Sequence, residues 1–142
     1  MDKTKVCVYF RILGDDFNPS EITDIMMLAP SYQWRNGDLI PGLDRARTYS
    51  KDRVRTYSSW AISTGYQESL DTNTQLKQIT DLIEDKRDML AELAKVKSLE
   101  YRFEIVAKIY GHQTPGITIE NDIIGLANTI GAIFDIDLYV SD

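Results

Sequence analysis

Five of the sixteen basic residues fall within eleven positions, with Tyr49 among them and Tyr57 and Trp60 just beyond. The segment RARTYSKDRVRTYSSW, residues 45–60, contains the pattern RxRTYS at 45–50 and again at 53–58. The two copies start an even number of residues apart, so an unbroken extended strand would present both sets of arginines to one side. A guanidinium binds a carboxylate or phosphate through two parallel N–H bonds and also stacks on aromatic rings. Arg45, Arg47, Arg53, Arg55, Tyr57 and Trp60 therefore form a candidate binding set for an anionic or planar group. In that arrangement Arg53 and Arg55 keep their guanidinium groups open to solvent, and at least one lies beside Tyr57 or Trp60. The competing reading is an exposed hairpin whose arginines answer acids elsewhere on the surface. Trp34 and Trp60 also fit ordinary packing positions.

Other chemistry finds less support. A nucleophilic site needs a base beside its nucleophile, and the one imidazole, His112 in GHQTPG, is paired by no motif with the one cysteine, Cys7. Neither a Gly-rich phosphate loop nor GxGxxG occurs. Asp15 and Asp16 precede a helix, and Asp135 and Asp137 lie two apart on one strand face. Each pair could share a cation, yet turn acids also favour helix starts and a wet strand face carries charges. No catalytic residue, metal site or cofactor is expected.

The elements that must position these groups are legible from periodicity. Val6, Val8, Phe10 and Ile12 alternate with Cys7, Tyr9, Arg11 and Leu13, which predicts a strand over 5–13 with the first set inward. Asn18-Pro19-Ser20-Glu21 has a cap, a proline at the first helical position and an acid three residues on, predicting a helix over 19–28. Short strands follow at 31–35 and 53–64. Leu76, Ile79, Leu82, Ile83, Met89, Leu90 and Leu93 mark a helical stripe over 71–95, capped by Ser69 or Asp71 and interrupted by the charged run 84–88. The clearest strand is 98–110, where Leu99, Tyr101, Phe103, Ile105, Ala107 and Ile109 alternate with Glu100, Arg102, Glu104, Val106, Lys108 and Tyr110. A small helix over 121–130 and a strand over 133–140 close the chain.

The resulting order, β-α-β-β-α-β followed by α-β, predicts a single α+β domain over 1–142. It would be a two-layer sandwich on a mixed or antiparallel sheet with ferredoxin-like character, and the first and last thirds read as duplicated βαβ units. RNA-recognition domains share part of that order, but their basic-glycine-aromatic motif is missing from RVRTYSSWAI and EYRFEIVAKI. Composition agrees with a folded domain: 43% hydrophobic and 27% charged residues, net charge −6. That charge opposes nucleic-acid binding, which needs clustered cations on a basic domain. The charge is polarised, because residues 109–142 hold five acids and no Lys or Arg. No apolar run reaches the length of a membrane span or signal core, and one cysteine excludes an internal disulfide. A reducing cytoplasm is the expected compartment.

GDDFNPSEIT, the following APSYQWRNGD, WAISTGYQESLD at 60–71 and the closing IGAIFDIDLYV together resemble the bacterial family catalogued as domain of unknown function 4279. The resemblance spans nearly the whole chain. It implies fold and lineage and brings no activity with it. With a complete small core, polarised charge and no assembled catalytic set, the expectation is a non-enzymatic protein-interaction module, immunity-like or regulatory, with a protein partner. The alternative is a small-molecule or anion-binding domain using the segment 45–60, and an enzyme is a distant third.

Overall fold

The computed structural model describes residues 2–41 and 53–141. The chain runs β1 (Lys5–Gly14), α1 (Pro19–Met26), β2 (Tyr32–Trp34), β3 (Ser58–Ser63), β4 (Gln67–Glu68), α2 (Thr72–Ile83), a 3-10 turn (Glu84–Lys86), α3 (Arg87–Lys97), β5 (Glu100–Tyr110), α4 (Asn121–Ile130) and β6 (Ala132–Ser141). The two-residue β4 adds to the expected order, and the long helix divides at the charged run that was expected to interrupt it. Side-chain caps set two of the helix starts. The Asn18 carbonyl oxygen accepts from Ser20 N–H at 3.1 Å, and the Asp71 carboxylate accepts from Asn73 N–H at 3.1 Å. Helix α1 ends two residues before the expected boundary because Met27 turns left-handed, with φ 56°, and its N–H closes on the Thr23 carbonyl. Gly131, at φ 76°, ends α4 in the same manner and reverses the chain into β6.

The sheet has the order β2-β3-β1-β5-β6, with β4 continuing the β3 side of β1 at Lys5 and Val6. Neighbours in β2-β3-β1-β5 are antiparallel, whereas β6 lies parallel to β5 across the α4 crossover. Strands β1, β2, β3 and β5 thus make a split β-α-β-β-α-β sheet extended by one parallel strand. The matched pattern of the first and last thirds is not matched in pairing, since β3 lies between β1 and β2 whereas β5 and β6 are neighbours.

Period-two alternation places one residue set of each strand under the helices. Val6, Val8, Phe10, Ile12, Trp60, Ile62, Tyr101, Phe103, Ile105 and Ile109 meet Ile22, Met26, Leu76, Ile79, Ile83, Leu90, Ile123, Leu126 and Ile130 in one core. Phe103 packs between Phe10 and Phe134, with ring centroids 5.2 and 5.3 Å away. The phenol of Tyr101 is satisfied in this layer: its O–H donates to the Leu90 carbonyl at 2.7 Å, and burial raises its pKa above the ordinary value. Leu82, expected on the core stripe, is exposed, because Leu76, Ile79 and Ile83 already define the side of α2 that meets the sheet. Among the described residues no helix is long and apolar enough to cross a membrane.

Candidate functional site

The alternate residues of the same strands face away from the helix layer. On this open face β1 contributes Tyr9, Arg11 and Leu13, while β5 contributes Glu100, Arg102 and Glu104. The pairing of Tyr32 with Ala61 and Trp34 with Ser59 brings the two β2 aromatics to the same side. Below them, residues 35–40 and 53–55 form an irregular ladder: Gly37 N–H donates to the Arg55 carbonyl, Arg55 N–H to the Asp38 carbonyl and Ile40 N–H to the Arg53 carbonyl. This ladder lengthens the β2–β3 hairpin and carries Arg55 and Tyr57 up against Trp34.

The ladder does not continue into a regular strand because Ser58 is buried and its hydroxyl accepts two backbone N–H groups, from Phe17 and Asn36, each at 3.0 Å. The strand expected from residue 53 therefore starts at Ser58. Asn36 Nδ2 donates to the Asp15 and Thr56 carbonyls, and Arg35 Nε donates to Asp16 Oδ1 at 3.1 Å. The turn after β1, the turn after β2 and the approach to β3 are thereby tied into one rim.

Above that rim runs a row of aromatic rings and guanidinium groups. The Tyr9 and Tyr32 rings are 6.1 Å apart; the Arg11 guanidinium lies 5.7 Å from the Tyr9 ring and 5.7 Å from the Trp34 ring. Arg55 stacks 3.9 Å over Trp34, and Tyr57 meets the same indole edge-on at 5.6 Å. Arg11 is fixed from two further directions, donating to Glu104 Oε1 at 2.6 Å and to Ser59 Oγ at 3.0 Å. The side chains of Arg11 and Glu104 are only 17% and 16% exposed, so the pair is much less screened than a surface ion pair. Arg102 pairs with Glu100 at 3.0 Å. Between these groups lies a cleft of about 730 Å³ lined by Arg11, Asp15, Trp34, Tyr57, Arg102 and Glu104, with further residues of β1 and β5.

At the other end of the open face Lys108 Nζ sits 4.1 Å over the Tyr66 ring. Burial, and then the nearby Cys7 thiol, raise the Tyr9 phenol pKa above its usual value, and burial raises that of Tyr66. Both phenols are neutral near pH 7 and are hydrogen-bond donors there.

The family model described as Domain of unknown function (DUF4279) matches residues 2–141. The chain belongs to that family. No curated protein and no solved structure matches it. Membership in the DUF4279 family fixes lineage over the whole described fold, and the chemistry of the open face has to be read from this chain's own residues.

The six residues singled out in the sequence separate. Arg55 and Tyr57 meet on the open face. Arg53 is half-buried one ladder step further along. Arg45 and Arg47 lie outside the described residues, so the shared side expected for the two RxRTYS copies lies outside them too. Trp60 is on the opposite face of the sheet, fully buried, with its indole N–H donating to Thr23 Oγ1 at 3.0 Å. It belongs to the core because its register partner is Gln33, one residue out of phase with Trp34. The aromatic beneath Arg55 is therefore Trp34, where Tyr57 or Trp60 was expected. Arg53 and Arg55 were expected with open guanidinium groups, yet their Nε atoms are shielded from solvent. Those two atoms and Trp34 Nε1 have no hydrogen-bond partner among the described residues.

Tyr9, Arg11, Trp34 and Glu104 were not selected from the sequence. Tyr9, Arg11 and Glu104 were legible as outward positions of the two clearest strands. Cys7 is buried with its Sγ 3.2 Å from Ser63 Oγ, and His112 lies in the turn after β5 at φ 61°. Among the described residues no hydrogen bond joins them. No group of three or more His, Cys, Asp or Glu is placed to hold a metal ion among those residues, and Asp16 is paired with Arg35.

Proposed function

We propose that this protein is a non-enzymatic interaction module of a bacterial cytoplasm, immunity-like or regulatory, that docks a protein partner on the open face of its sheet. The observation that carries this reading is the row Tyr32, Tyr9, Arg11, Trp34, Arg55 and Tyr57 on the face away from the helices, with Tyr32 and Tyr57 exposed at its ends. Tyr, Trp and Arg are the side chains that dominate binding energy in protein interfaces, because each offers a large apolar surface with a polar tip. Holding Arg11 by Glu104 and Ser59 keeps the centre of the row in one geometry, which lowers the ordering cost of binding. A mixed-sign surface also suits a folded partner better than a simple anion, since Arg11 and Arg102 are already answered by Glu104 and Glu100.

A second reading is favoured by one specific observation. Trp34 Nε1, Arg53 Nε and Arg55 Nε are shielded donors with no partner among the described residues, and Trp34 lines a cleft of a size typical for small ligands. A small molecule with acceptor oxygens bound in that cleft would lie against Trp34. Co-purification of the tagged chain from its native cell separates the readings. A stoichiometric protein partner that is lost with Trp34→Ala supports the interaction module. A melting shift with small carboxylates or phosphates, without any protein partner, supports the ligand site instead.

A further inference from the structure

The two edges of the sheet are unlike. β2 is only three residues long, as edges that avoid further pairing commonly are. β6 is ten residues long and hydrogen-bonds β5 along its whole length on one side, while its other side has no strand partner among the described residues. It contains no proline, no lysine and no arginine, and its charges are Asp135 and Asp137. Its apolar side chains emerge progressively from the helix layer: Ile136 is 40% exposed, Leu138 50% and Val140 69%, and Tyr139 is exposed on the opposite face. A long, apolar edge of unpaired backbone groups is a template for a further strand.

We infer that this edge is a homodimer interface, in which β6 pairs antiparallel with β6 of a second copy about a two-fold axis. The self-complementarity of the strand fixes the register. Residues opposite one another must share a face, so only registers pairing odd with odd and even with even keep the apolar side chains together. An axis on Ile136 sets Asp135 opposite Asp137, and an axis on Asp135 or Asp137 sets an aspartate opposite its own copy; like charges so placed are destabilising. An axis on Leu138 is the longest register that avoids all of these. It pairs Ile136 with Val140 and sets Asp137 opposite Tyr139, whose phenol can donate to the carboxylate, and Asp135 opposite Ser141. Leu138 then meets its own copy on the axis, and the exposed Val140 meets Ile136 beside it. A closed two-fold dimer of this kind joins the two sheets into one and uses up both free edges.

The interface lies on the edge and leaves the Trp34 row free, so this inference and the proposed docking face fail or stand separately. Sedimentation equilibrium of the full chain over a concentration series should approach twice the chain mass. Leu138→Lys, which opposes two ammonium groups on the axis, should return it to the monomer with an unchanged circular dichroism spectrum. In a Cys7→Ser background, Leu138→Cys should form an intermolecular disulfide on oxidation, whereas Asp135→Cys, opposite Ser141, should not; this holds the test open should the lysine variant fold poorly. A monomer at every concentration overturns the inference. So does a dimer that is indifferent to Leu138→Lys and is not cross-linked by Leu138→Cys.

Discussion

Along β1, Val6, Val8, Phe10 and Ile12 enter the helix layer, while Cys7, Tyr9, Arg11 and Leu13 point the other way; along β5, Tyr101, Phe103 and Ile105 contrast with Arg102 and Glu104 in the same manner. The covered face is apolar and closed, and its buried ring donors are satisfied locally, as in Tyr101 to the Leu90 carbonyl and Trp60 to Thr23, although Gln75 Oε1 of α2 has no partner among the described residues. The open face is built from rings and charges, and some of its shielded donors have no partner among the described residues. Hydrophobic burial accounts for the first pattern. It does not account for the second, which costs stability and is intelligible as a surface prepared for something else to cover.

The sharpest break in the comparison is Phe103→Ala. Phe103 is fully buried between Phe10 and Phe134, so the variant should lose about 3–5 kcal/mol in a denaturant titration, through lost burial and the cavity left behind. A loss below about 1 kcal/mol would mean that the faces are misassigned. On the other side, Glu104→Ala strands the half-buried Arg11 and should cost about 1–3 kcal/mol, most visibly at low salt. The same variant should loosen Arg11 against Trp34, seen as altered indole fluorescence.

Tyr101→Phe should cost about 1 kcal/mol by leaving the Leu90 carbonyl without its extra donor. It also carries a pH signature. The folded-state pKa of Tyr101 is raised above its unfolded value of about 10, so the neutral phenol stabilises the fold fully below that pH, and this stability is lost as pH rises beyond it. The variant should therefore lose less stability than the parent between neutral and strongly alkaline pH. A parallel decline in both proteins would place the alkaline transition on Tyr9 or Tyr66. Asn18→Ala, at the start of the helix that shields Trp60, should cost about 1 kcal/mol by thermal melting, since one N-terminal donor loses its acceptor.

The covered face was largely legible in the sequence because burial writes a period. The inward residues of β1 and β5, the Asn18 and Asp71 caps, the interruption of the long helix and the limits of α4 all follow from local chemistry. The open site was only partly legible, for two physical reasons. The segment 53–57 continues the strand alternation of 58–63, yet the buried Ser58 hydroxyl takes up the N–H groups of Phe17 and Asn36, and the regular strand begins only there. A three-residue strand such as β2 also carries no period of its own. Whether Trp34 or Gln33 faces the helices is decided by its register with β3, and so Trp60 was assigned the place beside Arg55 that Trp34 occupies.

The central claim is that the open face binds and the covered face folds, and it is tested most directly by Arg53→Glu combined with Arg55→Glu. Both changes lie on the ladder beside Trp34, outside the core. The double variant should melt within a few degrees of the parent and lose the protein that co-purifies with the tagged chain from its native cell. Retention of that partner at parental stoichiometry by a fully folded double variant would contradict the claim and return the segment to ordinary scaffold.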